Sequence, residues 1–231
     1  MTTSGTYSYN PNLGELVINA YGRCGVRRTE LTAQHMADAR TEANLMMADW
    51  VADGINLWQV QSTTIPLLKG VGVYPIPQNV VFMLDTYITI VGSNPPVDTL
   101  IFPVSRSDYL SFAQKTQPGR PTIFWFDRLI SPNMYIWPVP DQDSYWTLTY
   151  SYMRQAQDTE LINGTTPEIP WYYLDSFAWG LASRLALLYA PDRADRMEAR
   201  AMKSWNRALS VGTENVQIGI FPQLQGYFRL G

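Results

Sequence analysis

Residues 171–212, WYYLDSFAWGLASRLALLYAPDRADRMEARAMKSWNRALSVG, contain the most regular pattern in the chain. Apolar residues recur there at three- and four-residue steps, which predicts a helix over Trp171–Tyr189. Pro191 stops this helix, and Asp192 caps a second helix that Gly212 ends. Two helices joined by so short a turn should pack antiparallel. The apolar face of the first helix is formed by Leu174, Phe177, Ala178, Leu181, Leu185 and Leu188.

Proline divides the rest of the chain. One of the 16 prolines lies in residues 1–60, thirteen lie in residues 61–170 and two in residues 171–231. Proline lacks the N–H group that a helix interior needs and clashes with the preceding turn. Long helices are therefore expected at both ends of the chain and not in the middle.

Two helices are predicted before the proline-rich part. The first opens at Pro11 or Asn12 and runs to about Arg23, and the longer second one is capped near Thr32 and runs to about Trp58. Each presents one apolar face, which must be buried. These faces are Leu13, Leu16, Val17, Ala20 and Tyr21 in the first helix, and Ala43, Met46, Met47, Trp50, Gly54 and Leu57 in the second.

The middle of the chain consists of short runs rich in Val, Ile, Tyr, Trp and Thr. Gly, Pro, Asn and Asp separate them, which predicts antiparallel strands and hairpins. One helix, capped by Ser105, interrupts the strands. The predicted strands are Ser62–Leu68, Val71–Ile76, Val80–Val91, Thr99–Phe102, Ile123–Arg128, Met134–Pro138 and Tyr145–Met153.

These elements predict an α+β fold. Its N- and C-terminal helices form a helical bundle, because their apolar faces must meet in space to be buried, and the bundle carries a central antiparallel β-rich insertion. Four units follow: N-terminal helices in residues 1–60, the β-rich insertion in 61–170, a C-terminal helical hairpin in 171–212 and an extended C-terminal docking tail in 213–231.

Composition excludes several kinds of function. The 231 residues include one histidine, His35, and one cysteine, Cys24, so no internal disulfide and no zinc site of cysteines and histidines can form. A net charge of −3 argues against general nucleic-acid binding. No signal peptide or membrane span is visible, and we expect a soluble protein made in the cytoplasm, without cofactors.

The sequence also contains few candidates for catalysis. His35 alone cannot form a catalytic triad, and we interpret it as a surface or helix-end residue. The Gly-x-Gly of Gly70 and Gly72 leads to Pro75, so it predicts a hairpin turn rather than a phosphate site. Asp141 and Asp143 lie in a turn bounded by prolines, where acidic residues are common. A glycosidase with two carboxylates stays open, because the aromatic strands could stack sugars.

The last helix has the most ordered charge pattern. Its basic residues are spaced three and four apart and therefore share one face. Residues 171–231 contain seven basic and five acidic residues, whereas the rest of the chain contains ten basic and fifteen acidic ones. The face could meet an acidic partner or DNA phosphates, or it could be an ordinary solvated face with Asp192 paired to Arg196. The face consists of Arg193, Arg196, Arg200, Lys203 and Arg207.

The last residues of the chain are too apolar for a free disordered end. They have no helical period, and Pro222 and Gly226 interrupt them. Either this tail folds back on its own domain, or it docks on a partner by adding a strand, which we favour. The candidate docking residues are Ile218, Ile220, Phe221, Tyr227 and Phe228.

Short motifs spread over most of the chain resemble those of one protein family, the head-to-tail adaptors of short-tailed phages, also called tail tubular or head-completion proteins. The motifs are LGELVI at 13–18, GV at 25–26, DAR at 38–40, NLMM at 44–47, Trp50, GINLW at 54–58, PGRPT at 118–122, YIWPVPD at 135–141 and IP at 169–170.

The resemblance implies a structural virion protein rather than an enzyme. It implies a homo-oligomeric ring, a dodecamer, bound beneath the portal protein, with a tail nozzle or tail tube protein below and a channel for DNA that passes without sequence-specific contacts. It places the protein in the virion neck, after assembly in the host cytoplasm and without a membrane, and it implies that the C-terminal segment reaches the portal. The alternatives are a glycan-binding or glycan-hydrolysing tail protein and a regulatory DNA-binding module.

Overall fold

The computed structural model describes residues 4–7, 9–52, 57–161 and 164–212. Within these ranges the chain has five α-helices and eight strands, which confirms the predicted α+β class. The helices are α1 Leu13–Cys24, α2 Ala33–Ala52, α3 Arg106–Ser111, α4 Leu174–Tyr189 and α5 Ala194–Gly212. The strands are β1 Val60–Pro66, β2 Val73–Pro75, β3 Val80–Ile90, β4 Asp98–Leu100, β5 Phe102–Pro103, β6 Ile123–Phe126, β7 Asn133–Trp137 and β8 Trp146–Arg154.

Helices α1, α2, α4 and α5 share one apolar core, which we name the helical module. The large side chains at its centre, including Phe177, Leu181 and Leu185 of α4, are fully buried. Gly180 allows α2 to approach α4 closely, since a Cβ atom there would lie 2.6 Å from Sδ of Met46. The helices at the two ends of the chain therefore bury one another's apolar faces, as their periodicity predicts.

Helix α1 begins and ends where its sequence predicts. The Asn12 side chain accepts a hydrogen bond of 2.8 Å from the backbone N–H of Glu15, as an N-cap residue should. Gly25 ends the helix with a φ of 90°, a left-handed conformation that costs glycine little. The backbone N–H of Val26 then donates to the carbonyl of Tyr21 at 3.0 Å.

The second helix is shorter than predicted. Helix α2 spans Ala33–Ala52, and the predicted face residue Gly54 lies outside the described residues. The predicted end at Trp58 falls in a 3-10 turn, Leu57–Gln59, that leads directly into β1. The ring of Trp58 packs on Tyr173, with 4.4 Å between the ring centroids. This contact ties the start of the β-rich part to the helical module.

Two details of the C-terminal hairpin also differ from prediction. Asp192 does not cap α5, because it lies inside a 3-10 turn, Pro191–Arg193, that precedes the helix. Leu188 is 58% exposed rather than buried, since the buried stripe of α4 ends at Ala186. The antiparallel neighbours α4 and α5 themselves are present as predicted.

The β-rich part forms two four-stranded sheets, in the orders β1-β8-β3-β4 and β2-β7-β6-β5. Side chains from both sheets, such as Ile88 and Leu148 of the first and Phe124 and Ile136 of the second, form one buried cluster. We name this part the β module. Its first and last strands, β1 and β8, are paired antiparallel, so the chain leaves and re-enters the helical module on neighbouring strands.

One predicted strand is in fact two, and one pair of strands is parallel. The predicted strand Thr99–Phe102 divides at Ile101, whose N–H donates to Thr86 on β3, whereas the N–H of Phe102 donates to Thr122 beside β6. Because β5 is joined to β6 by a crossover that contains α3, these two strands run parallel. The expectation that all strands are antiparallel is wrong for this pair.

Candidate assembly surfaces

Four of the five predicted basic residues form an exposed stripe along α5. Arg196, Arg200, Lys203 and Arg207 all lie at the surface, and none makes an ion pair with another residue of the ranges that the structure describes. The buried residues of α5 lie on a different face of the helix. We name these four residues the basic stripe, and the buried residues are Ala194, Met197, Ser204 and Ala208.

Arg193 has a different role from the stripe. Its Nη1 donates to the carbonyl of Cys24 at 3.0 Å, and a Cβ atom at position 25 would collide with its guanidinium. Cations are favourable at the carbonyl end of a helix, so Arg193 stabilises the end of α1. Its Nε also lies 3.7 Å from Asp192 Oδ2, so Asp192 pairs with Arg193 rather than with Arg196.

The β module exposes apolar side chains on a rigid hairpin tip. Leu129 and Ile130, between β6 and β7, are 64% and 90% exposed. Asp127 holds this loop, because its Oδ1 accepts hydrogen bonds from the N–H groups of Leu129 at 3.3 Å and of Asn133 at 2.8 Å. We name Leu129 and Ile130 the hairpin tip. Its signal in the sequence is an apolar pair between turn residues, which the sequence analysis missed.

A second apolar surface lies where the chain crosses between the sheets. Val97, Leu100 and Phe102 are 48%, 57% and 63% exposed. Exposed apolar side chains on one short segment are candidates for contacts with another protein. The β module thus presents apolar groups at two places, the crossing segment and the hairpin tip.

The aromatic strands do not form an open platform for sugars. The ring of Phe112 is stacked on Trp137 at 4.4 Å, and that of Trp125 on Tyr135 at 4.6 Å, where these distances join ring centroids. Tyr109 of α3 lies within 5.5 Å of both Trp125 and Tyr135 by the same measure. These rings therefore stack on one another rather than standing free for a sugar, which gives the glycan alternative no support.

The residues weighed for catalysis have structural contacts. The His35 ring stacks on Tyr189 at 4.5 Å, and its Nδ1 accepts from the N–H of Thr32 at 3.2 Å, at the start of α2. Asp143 accepts from the N–H of Lys69 at 2.8 Å and thereby joins the loop before β8 to the loop after β1. Across the described ranges, no group of three His, Cys, Asp or Glu side chains could hold a metal ion.

A partly buried ion pair joins the end of β8 to the segment that enters α4. Both guanidinium ends of Arg154 donate to Glu168, one of them at 2.8 Å, and Glu168 also accepts from the N–H of Gln157 at 3.1 Å. The Arg154 hydrogen bonds hold the pKa of the Glu168 carboxyl below its ordinary value. This pair, which we name the strap, fixes the β module to the helical module.

Replacing Glu168 by Gln should lower the free energy of unfolding at pH 7 by about 1–2 kcal/mol, because Arg154 loses its charged partner and Glu168 is only partly buried. A carboxyl whose pKa is lower in the folded protein than in the unfolded chain stabilises the folded protein at pH values above its unfolded-state pKa. This stabilisation is lost as the pH falls through the folded-state pKa. The difference in the free energy of unfolding between the unmodified protein and Glu168→Gln should therefore shrink below about pH 4.5.

Urea unfolding at several pH values measures this difference. The matched control is Asp192→Asn, whose carboxylate pairs with Arg193 at the surface and should change stability by less than about 0.5 kcal/mol. Equal effects of the two substitutions at pH 7 would contradict the strap's role.

The predicted tail, with Ile218, Ile220, Phe221, Tyr227 and Phe228, lies outside the described residues. The tail's role therefore stays a prediction.

In the part of the chain that is described, no helix combines the length and apolar character needed to cross a bilayer.

Comparison with known proteins agrees with the resemblance found in the motifs. The family model described as SU10 adaptor protein matches residues 13–217, which include all the helices and strands described above. A search of curated proteins finds no match. Membership of this family implies a structural phage protein that interacts with portal and tail proteins in the virion neck. Because the match covers most of its length, the chain belongs to the SU10 adaptor protein family.

Proposed function

We propose that the protein forms a ring beneath the portal, connects the capsid vertex to the tail and lines the channel through which DNA passes. Family membership over residues 13–217 is the observation that carries this proposal. The ring is a dodecamer of identical subunits, assembled in the host cytoplasm, with a tail nozzle or tail tube protein below it. DNA passes through it without sequence-specific contacts.

The distribution of surface groups supports a ring. A ring requires two different patches on each subunit, which meet head to tail between neighbours. The hairpin tip and the crossing segment are apolar, whereas the basic stripe is charged and lies on the helical module. Because the apolar surfaces and the basic stripe differ in chemistry, they suit contacts with several different proteins at once rather than with a single one.

We assign separate tasks to the four predicted units. The helices of residues 1–60 and 171–212 form the ring body, and the insertion of residues 61–170 packs laterally or downward with its exposed apolar groups. Residues 213–231 lock onto the portal above. An extended segment that gains its portal contacts only when the portal is present can make assembly sequential.

The mass and symmetry of the particle test this function. The full chain is studied alone and mixed with the portal protein of the same phage, by native mass spectrometry and electron microscopy. We expect a complex in which a ring of twelve copies sits on the portal. A protein that stays monomeric in the presence of the portal would overturn the proposal.

Removing charge from the basic stripe should weaken assembly or the retention of packaged DNA. The triple substitution Arg196→Ala, Arg200→Ala and Lys203→Ala removes three exposed cations, and we expect about tenfold weaker assembly at physiological salt. The thermal midpoint should change little, because these side chains are exposed. The loss should diminish at high salt, which screens exposed charges.

The control for the stripe removes the same charge elsewhere. Arg40, Arg106 and Arg120 are also exposed, and their triple alanine variant changes the net charge equally. We expect it to assemble as the unmodified protein does. If the stripe variant behaves like this control, the stripe is an ordinary solvated face.

A further inference from the structure

A groove with an exposed tryptophan lies between the N-terminal arm, α1 and the start of α4. It consists of two adjoining concavities of about 310 and 790 Å³, which share Tyr9, Trp171 and Leu174. The Trp171 side chain is 77% exposed, although it lies directly beside the buried Tyr173. We name this feature the Trp171 groove. Its lining is mixed, with Leu16 and Leu174 beside Glu15, Asn19 and Asp175, and an exposed indole at the rim of such a concavity is typical of a docking surface.

The wall of the groove is firmly built. Arg23 lies with its guanidinium 4.0 Å from the centre of the Trp179 ring and donates to Asp175 Oδ1 at 3.3 Å. Leu16 and Ala178 are both buried where α1 meets α4. The wall therefore belongs to the core of the helical module, and an incoming segment would meet a preformed surface.

The end of α5 lies next to this groove. A Cβ atom on Gly212 would be 3.2 Å from the Tyr173 hydroxyl and 3.8 Å from the Tyr172 ring. The Tyr172 ring in turn contacts Trp171, with 5.6 Å between centroids. An extended chain covers about 3.3–3.6 Å per residue, so a few residues after Gly212 reach Trp171. The remaining residues, 213–231, are many more than this path needs.

We propose that the Trp171 groove binds residues 214–228 of the same chain in the free protein. The segment supplies Ile218, Ile220 and Phe221, whose apolar side chains match the exposed indole and Leu174. Its interruption by Pro222 and Gly226 suits an extended segment in a groove better than a helix. Intramolecular docking also profits from a high effective concentration, because the segment starts beside its site.

Hydrogen exchange of the full chain, without the portal, tests this docking. We expect amides of residues 214–228 to exchange at least about tenfold more slowly than in the isolated peptide of the same sequence. Trp171→Ala should remove most of this protection, because it deletes an exposed indole that lines both concavities of the groove. Amides in α4 should keep their exchange rates in this variant, since Trp171 is exposed. An unprotected segment in the unmodified protein overturns the proposal.

Two leucine substitutions on one helix separate a position in the groove, which also packs against the helical core, from an exposed position outside it. Leu174→Ser lies in the groove and should also release the segment, whereas Leu187→Ser, 69% exposed at the other end of α4, should not. Equal effects of the two would contradict the assignment.

Dilution shows whether the segment in the groove belongs to the same chain or to a neighbouring copy. Protection within one chain does not depend on protein concentration, whereas protection that falls on dilution would mean that a neighbouring copy supplies the segment, which overturns the proposal for the same chain. All these measurements use the free protein. Their failure would leave the proposed ring untouched, and failure to form the ring would leave this docking untouched.

Discussion

A chain that ends after Thr213 should fold and remain soluble, yet lose its binding to the portal. The described buried residues of the two cores lie between Leu13 and Ala208, so a chain without residues 214–231 keeps every one of them. The removed segment contains the five predicted docking residues. Burying one such side chain contributes about 1.5–3 kcal/mol, so the loss of even two weakens binding about a hundredfold.

Two measurements on the truncated chain check this result. Sedimentation with the portal protein reports binding, and circular dichroism with a thermal scan reports folding. We expect an unchanged helical signal and a thermal midpoint within a few degrees of the full chain, together with no stable portal complex. An insoluble or unfolded truncated chain would show that the tail is part of the core.

The truncation and the groove variants separate two roles of the same segment. Truncation removes the residues that reach the portal, whereas Trp171→Ala leaves them present and changes only the site that we propose for them in the free protein. If Trp171→Ala releases the segment, portal binding should persist in that variant. Loss of portal binding in both variants would mean that Trp171 itself contacts the portal.

Replacing Phe177 by Ala should cause a large loss of stability, with a free energy of unfolding lower by about 3–5 kcal/mol. Phe177 lies at the centre of the helical module and is fully buried, and its ring meets that of Trp50 edge to face, with 6.1 Å between centroids. Removing the ring leaves a cavity between α2 and α4 that the close packing of these helices cannot fill.

Urea unfolding measures this loss, and a leucine on the same helix provides the control. Leu187 is 69% exposed, and its replacement by Ala should change the free energy of unfolding by about 0.5 kcal/mol or less. A loss below about 1 kcal/mol at Phe177 would show that the helices of this module do not depend on one another for burial.

The sequence predicted those elements whose signals are local. The caps of α1, the apolar period of α4 and the strand pattern of β3 all lie within a few neighbouring residues. In the second half of β3, Thr86 and Ile88 are buried and Asp85 is exposed, which is the alternation of a strand with one buried face. Four of the five basic residues that were predicted from spacing alone to share a face, Arg196, Arg200, Lys203 and Arg207, do lie in α5.

Features that join distant parts of the chain could not be predicted in this way. Arg193 belongs by spacing to the basic stripe, but it lies against the end of α1, 169 residues away in sequence from its partner Cys24. Leu188 belongs by period to the buried face of α4, but the apolar cover ends before it. In each case a neighbour from another element decides the role of the side chain.

The sequence by itself therefore determined the fold class, the order of helices and strands, and the resemblance to phage adaptors, because periodicity, capping and proline placement act between near neighbours. Only the tertiary structure decided that the chain crosses between two sheets at Ile101, that Arg154 and Glu168 join the two modules, and that the end of α5 lies beside the Trp171 groove. These three features depend on which distant segments contact one another, and those contacts are determined by how entire helix and sheet faces pack together.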